Sequence, residues 1–152
     1  MTNALLKAGE RIDQLFSSNI KIIQNKDVFS FSVDSVLLSR FPNIPAKKGL
    51  IVDLCSGNGA VGLFVAGQTK AQIIQVELQE RLAGMNQRSI LLNELEKQVS
   101  VIQDDLANLA NHVGLSKVDL MLCNPPYFKV DEGSNLNESE HYLLARHEIA
   151  TN

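Results

Sequence analysis

The chain has 152 residues, of which 45% are apolar, 20% charged and 5% aromatic, with no Trp, a composition that fits one globular domain with a single core and leaves no room for a second. Its apolar runs fall far short of the roughly 20 residues of a membrane helix, and its N-terminus lacks the basic-then-apolar pattern of a signal peptide, so a soluble, cytoplasmic protein without a membrane partner is expected. The formal net charge of −3 is unevenly spread: residues 1–48 carry 7 Lys or Arg against 4 Asp or Glu, giving +3, and residues 49–152 carry 7 against 13, giving −6, so a polyanion would bind at the N-terminal end.

Leu5, Ala8, Ile12, Leu15 and Phe16 fall on one helical face and predict an amphipathic helix over about residues 4–17. Residues 20–24 and 28–31 are strand-like and flank Asn25-Lys26-Asp27, which predicts a hairpin. A short helix follows, capped by Ser32, running through Val33, Val36, Leu37 and Arg40 and ended by Pro42 and Pro45. From residue 50 short apolar strands alternate with helices, the pattern of a parallel sheet with crossover helices. The predicted strands are Leu50 to Leu54, Gln72 to Val76, Val99 to Gln103 and Val118 to Cys123; the helices follow Gly59, span about Gln79 to Glu96, and run from Leu106 to Val113 before Gly114. After Tyr127 the chain turns polar and reads as a mobile loop. The expected organisation is an N-terminal helix and hairpin extension over 1–48, an α/β core over 49–127 and a polar tail over 128–152.

Chemistry concentrates after the predicted strands. Asp53-Leu54-Cys55-Ser56-Gly57-Asn58-Gly59-Ala60-Val61-Gly62 is a glycine-rich strand-to-helix turn, and Gly57, Gly59 and Gly62 complete a G-x-G-x-x-G that lets backbone approach a nucleotide-type ligand. Glu77, ending the second strand, can accept both ribose hydroxyls of such a ligand, which suits NAD and S-adenosylmethionine equally. Asp53 argues for a ligand with a positive end, since a carboxylate there would repel a pyrophosphate and orient an amino group. Asp105, preferred over Asp104, can accept an adenine amino group while the next backbone N–H, that of Leu106, donates to the ring; either Asp can also cap a helix. In Asn124-Pro125-Pro126-Tyr127 two prolines hold the backbone extended, so that the Asn124 side-chain oxygen and the Pro125 carbonyl both accept from a planar NH2, and Tyr127 offers an aromatic face to a flat base. Cys55 and Cys123 have neither C-x-x-C spacing nor a nearby His cluster, so no disulfide framework and no metal site is expected, and both read as buried thiols.

Over residues of about 50 to 127 the sequence resembles the class I S-adenosylmethionine-dependent methyltransferases that methylate planar amino nitrogens and carry Asn-Pro-Pro-Tyr. Cys55 stands where the family's usual motif has its first glycine, a substitution also seen in the amino-methylating branch. Arg11-Ile12-Asp13-Gln14-Leu15, Lys21-Ile22-Ile23-Gln24-Asn25, Phe29-Ser30-Phe31-Ser32-Val33-Asp34-Ser35-Val36-Leu37-Leu38 and Arg146-His147-Glu148 resemble segments of the bacterial valine-tRNA adenine-N6 methyltransferases, which modify the adenosine 3′ to the anticodon. The resemblance implies a Rossmann-like, doubly wound, mostly parallel sheet with S-adenosylmethionine as cofactor. It implies that Asp53 and Cys55, Ser56, Gly57, Asn58 and Gly59 cradle the methionine part, Glu77 the ribose, Asp105 and Leu106 the adenine, and Asn124, Pro125, Pro126 and Tyr127 the target base of a tRNA. That family's sheet has seven strands and the chain stops after the fourth in sheet sequence, so a piece of a longer enzyme is expected, with self-association through the exposed sheet edge.

Two other functions compete with adenine N6 methylation. Glutamine N5-methylation of a protein suits the same acceptors, because a carboxamide NH2 is also planar, but the N-terminal segment is not the separate helical domain such enzymes would carry. A fragment that binds S-adenosylmethionine without turnover is the other. An NAD-dependent reductase is disfavoured, because no Tyr-x-x-x-Lys accompanies the glycines.

Overall fold

A computed structural model describes residues 2–14, 18–28, 31–126, 128–129 and 147–148. A 3-10 turn at Thr2–Leu5 leads to β1 (Glu10–Gln14) and β2 (Lys21–Asn25), then α1 (Val33–Arg40), β3 (Leu50–Leu54), α2 (Ala60–Ala66), β4 (Gln72–Glu77), α3 (Glu80–Leu92), β5 (Val99–Gln103), α4 (Leu109–His112) and β6 (Leu120–Cys123). Phe128–Lys129 (β7) and His147–Glu148 (β8) form a two-residue parallel ladder. The loop expected between these two strands lies outside the described residues.

The four central strands form one parallel sheet in the order β5-β4-β3-β6. The central strand β3 is buried on both faces, whereas the edge strands β5 and β6 leave Ser100 and Met121 exposed. Ile51, Ile73, Val99 and Leu122 pack with α2 and with Ile90 of α3, whereas Val52 and Val76 pack with Leu109 and Val113 on the other face. Successive residues of a strand point to opposite faces, so Asp53 and Gln75, opposite each other in the β3–β4 ladder, share the α2 face with Ile51 and Ile73. The chain winds outward from β3 through β4 to β5 and then returns to place β6 on the other flank of β3. The reversal opens a crevice at the C-terminal ends of β3 and β6, where a doubly wound sheet takes its ligand.

The N-terminal segment departs from the expected helix over 4–17. Only Thr2–Leu5 turn, as a 3-10 helix, and Glu10–Gln14 is instead a strand antiparallel to β2, with Ile12 opposite Ile23. Gly9, at φ 76, sits in the left-handed region where an α-helix cannot pass. Leu5 and Ile12, read as one helical face, both pack on Ile23, Leu82 and Met85; a 3-10 turn followed by a strand satisfies the same spacing. Leu15 and Phe16 lie outside the described residues. The hairpin therefore sits one element earlier than expected: the partner of β2 is 10–14, not 28–31, and Val28 is a fully buried residue after the turn.

The hairpin is docked on α3. The Ile23 N–H donates to Ser89 Oγ at 2.9 Å, and Asn93 accepts from Lys21 N at 2.9 Å and donates to Lys21 O at 2.6 Å. Arg88 donates to the Leu5 carbonyl at 2.7 Å and pairs with Glu10. α1 begins after Ser32 as predicted, although the Ser32 side chain makes no capping bond. It buries Ser35 and Ser39, and Gln68, just past α2, donates to Ser39 O at 2.9 Å; Val33, Leu37 and Phe41 are left exposed.

The remaining boundaries shift by a few residues. α3 stops at Leu92 because Glu94 adopts a left-handed φ of 56. The third predicted helix is a 3-10 turn at Leu106–Asn108 followed by α4. β6 starts at Leu120, after Asp119 has pinned the strand by donating from its N–H to Leu50 O and accepting from Leu50 N at Oδ2. Among the described residues no helix is long and apolar enough to cross a membrane.

Candidate functional site

The three glycines of the turn do three different jobs. Gly57, at φ 57, has nothing within 4 Å of the position a Cβ would take, so it keeps open space beside the turn. Gly59, at φ 89, would place a Cβ 2.3 Å from Asn86 Oδ1, and so admits an α3 side chain. Gly62 would place a Cβ 2.4 Å from Gln75 Nε2, and so lets α2 settle on β4. Only the first leaves open space; the other two serve packing between elements.

Asp53 is buried beneath the turn at 1% exposure. Its Oδ2 accepts from Gly62 N and from Gln75 Nε2, both at 3.0 Å, and Gln75 also donates to Gly59 O at 3.0 Å. Burial pushes the Asp53 carboxyl up to about 7 against the pull of these bonds. Asp53 is not among the residues lining the adjoining cavity, so it sets the shape of the turn from behind. Asn86 plays a similar part from α3, donating to Ser56 Oγ at 3.3 Å. Asn58, also buried, reaches back to the hairpin and donates to Ile23 O at 3.2 Å.

The cavity holds about 250 Å³ and opens at the C-terminal ends of the central strands. It brings together Cys55, Ser56, Gly57, Asn58, Glu77, Asp105, Leu106, Asn124 and Pro126, nine of the residues singled out from the sequence; Asp53, Gly59 and Pro125 do not line it. Tyr127 lies outside the described residues. Glu77 is 6% exposed and supports both sides of the cavity: Oε2 accepts from Gly57 N at 2.7 Å and Oε1 from Gln79 N at 2.8 Å. Burial raises its pKa despite those bonds. A carboxylate offers about four acceptor sites, so with the backbone N–H groups of Gly57, Leu78 and Gln79 bound, a site remains for a hydroxyl.

Asp104 and Asp105 divide their tasks. Asp104 Oδ1 accepts from Asn108 Nδ2 and Asp105 N, and Oδ2 contacts His112 Nε2 at 2.6 Å; these partners hold its pKa down at about 2. Asp105 accepts from Ala107 N at 2.8 Å as the N-cap of the 3-10 turn, the capping role anticipated for it, while it still lines the cavity. Reading by motif misses Phe31, Ser35, Leu78, Gln79 and Leu82, which also line the cavity. Leu78 was legible as the residue after Glu77; it is 57% exposed, and Leu106 38%, unusual openness for two leucines bordering one cavity. Phe31 is held edge-on against Phe64, ring centroids 5.5 Å apart.

The cysteines differ from the buried pair expected. Cys55 is half-buried and at φ 53, Cys123 is exposed, and both are free. Among the described residues no cluster of three or more His, Cys, Asp or Glu side chains is placed to hold a metal ion.

The sequence profile of the methyltransferase small domain matches residues 19–144. The chain is 30% identical over 119 residues to the tRNA1(Val) (adenine(37)-N6)-methyltransferase of Shewanella sp. (strain MR-4), covering 76% of this chain and 48% of that protein. It is 31% identical over 110 residues to the protein of the same name from Haemophilus influenzae (strain PittEE), covering 71% and 47%. The chain spans about half the length of these relatives. Among solved structures, P. horikoshii TYW2 in complex with MeSAdo is similar with a TM-score of 0.62 at 21% identity, over 82% of this chain and 44% of that one, a likeness of fold. A profile match that begins before the hairpin's second strand, runs through the glycine turn and continues past Asn124-Pro125-Pro126-Tyr127 makes this chain a member of the methyltransferase small domain family.

Proposed function

We propose that this chain binds S-adenosylmethionine and methylates N6 of an adenine in tRNA, the adenosine 3′ to the anticodon of valine tRNA in a cytoplasmic setting. The observation that carries the reading is that one cavity joins Glu77 and Asp105 to Asn124, so that cofactor-type and acceptor-type groups meet without a wall between them. The named relatives support the same substrate.

The lining fits the cofactor. Glu77 retains an acceptor site for a ribose hydroxyl. Leu78 and Leu106 expose apolar surface of the kind a purine ring covers. Asp105 would accept the adenine amino group, with Leu106 N as donor to the ring. The space left open at Gly57 would take the methionine part, with Cys55, Ser56, Asn58 and Gly59 shaping the turn around it and Asp53 holding it through Gly62. When bound, S-adenosylmethionine supplies a methyl group already activated by its sulfonium.

The protein's part is alignment. The Asn124 side-chain oxygen and the Pro125 carbonyl accept the two N–H bonds of the adenine amino group, which orients the nitrogen lone pair towards the methyl group. Pro126 and Tyr127 complete the surface against the base, splayed from its stack as single-stranded RNA permits. The methylated nitrogen loses its extra proton to water, so no side chain is assigned as general base.

The test is calorimetric titration of the chain with S-adenosylmethionine, NAD and buffer, followed by methylation assays on an anticodon stem-loop RNA and on a glutamine peptide. Micromolar binding of S-adenosylmethionine, no binding of NAD and methyl on adenine N6 by mass spectrometry are expected. A folded chain that binds no S-adenosylmethionine overturns the reading. Labelling of the peptide in place of the RNA replaces it with glutamine N5-methylation.

A further inference from the structure

Cys123 ends β6, and Cys55 directly follows β3, its neighbour in the sheet. Leu54 and Cys123 are opposite each other in the β3–β6 ladder, where strands run about 4.8 Å apart, so Cys55, one residue further on, starts the glycine turn beside Cys123. The two side chains lie near enough for each to shift the ionisation of the other. Cys123 is exposed, and Cys55 is half-buried and lines the cavity. Two free thiols side by side at the sheet end, one open to solvent and the other half-buried, are arranged as an attacking and a resolving sulfur.

We propose that Cys55 and Cys123 are an oxidation site for peroxide, closing to an intramolecular disulfide that ties the start of the glycine turn to the residue before Asn124. The Cys123 sulfur attacks one peroxide oxygen, the O–O bond breaks, and the departing oxygen leaves as water with the thiol proton; Cys123 is now a sulfenic acid. The Cys55 sulfur attacks that sulfur, the S–O bond breaks, and a second water leaves with the Cys55 proton as the S–S bond forms. Two thiols and one hydrogen peroxide thus give one disulfide and two waters, the sulfur pair losing the two electrons that the peroxide gains. Cys123 attacks first because it is exposed, and the half-buried Cys55 beside it is left to resolve. The chemistry is independent of the proposed methyl transfer and stands even if no RNA is methylated.

The purified chain is treated with one equivalent of hydrogen peroxide, denatured, alkylated with N-ethylmaleimide and mapped by mass spectrometry. The expected product is a monomer lighter by two hydrogens, with both cysteines refractory to alkylation, a Cys55–Cys123 cross-linked peptide, and full reversal by dithiothreitol. In Cys55→Ser, Cys123 should be trapped by dimedone as the sulfenic acid. In Cys123→Ser, Cys55 should oxidise about tenfold more slowly than Cys123 does in the unmodified chain. Wild-type cysteines that both stay open to alkylation, disulfides that form only between chains, or a Cys123→Ser variant that reacts as fast as the unmodified chain would each overturn the proposal.

Discussion

Adding one methyl group at each of the three turn glycines should produce three different losses of stability, because the same atom meets three different surroundings. Gly57→Ala meets no atom within 4 Å, so its cost is the left-handed φ alone, about 1–2 kcal/mol, part of which is returned by the less flexible unfolded chain. Gly62→Ala has no left-handed φ to strain but puts its Cβ 2.4 Å from Gln75 Nε2. Gln75 is fully buried, and moving it breaks its bonds to Asp53 and Gly59 O, which costs roughly 1–3 kcal/mol. Gly59→Ala combines both penalties, with φ 89 and a Cβ 2.3 Å from the oxygen of the fully buried Asn86, for a total of about 2–5 kcal/mol. Urea unfolding read by circular dichroism orders the three, provided the denaturant slope stays constant across the series. Replacing Asn86 by Ala in the Gly59→Ala background should recover the steric share, a coupling of about 1–2 kcal/mol. Equal losses at Gly57 and Gly59, or no coupling between Gly59 and Asn86, would refute the assignment of Gly59 to packing.

Asp53 should make the protein lose stability as pH rises. Its folded pKa of about 7 exceeds the unfolded value, so its contribution is fully present below about pH 4 and is lost as pH climbs through 7, a change of about 4 kcal/mol. Asp53→Asn should remove most of that slope from a series of urea midpoints, and an unchanged slope would show that Asp53 is not its source. Arg88→Met should cost about 3 kcal/mol at pH 7, because it strands the Glu10 carboxylate, whose side chain is 3% exposed. Glu10 has a depressed pKa, so its share of the loss holds above the unfolded pKa and disappears as pH falls through the folded one; a loss that stays constant down to that range refutes the ion-pair account. Asn124→Ala should lower methylation of the stem-loop RNA about 10²-fold while leaving S-adenosylmethionine affinity unchanged; an equal loss of affinity would assign Asn124 to the cofactor.

How much was legible follows from how local each signal is. β3 and β5 keep their predicted bounds to the residue, because aliphatic and β-branched residues dominate both, Leu50-Ile51-Val52 in one and Val99, Val101 and Ile102 in the other. Glu77, Asp105 and Asn124 can be singled out because each lies at or just beyond the C-terminal end of a predicted strand, where a parallel sheet binds its ligands, and all three line the cavity. The predicted N-terminal helix gives way because Leu5 and Ile12 reach the same cluster by a different path, with Gly9 in a left-handed conformation between them. Gln75 and Asn86 were invisible for a different reason. Their roles depend on the register of β4 against β3 and on where α3 crosses the turn, neither of which is encoded in spacing along the chain. The meeting of Cys55 and Cys123 needs the strand order itself, since β6 lies beside β3 only because the chain doubles back.

That ordering also changes what the N-terminal residues are for. A separate extension would end in its own small core, yet Ile22 belongs to the cluster that contains Ile51 and Leu63, and Ile23 to the one built on Leu82 and Met85. The Ile23 peptide is held from both sides, its N–H by Ser89 of α3 and its carbonyl by Asn58 of the glycine turn. Phe31 and Ser35 then continue from the hairpin into the cavity wall. The hairpin is thus a brace that fixes α3 and the turn at once, and the cavity's shape depends on it. Phe31 and Ser35 bring residues 1–48, which carry a net charge of +3, into the lining of the cavity, so truncating the hairpin should disturb the cavity as well as α3.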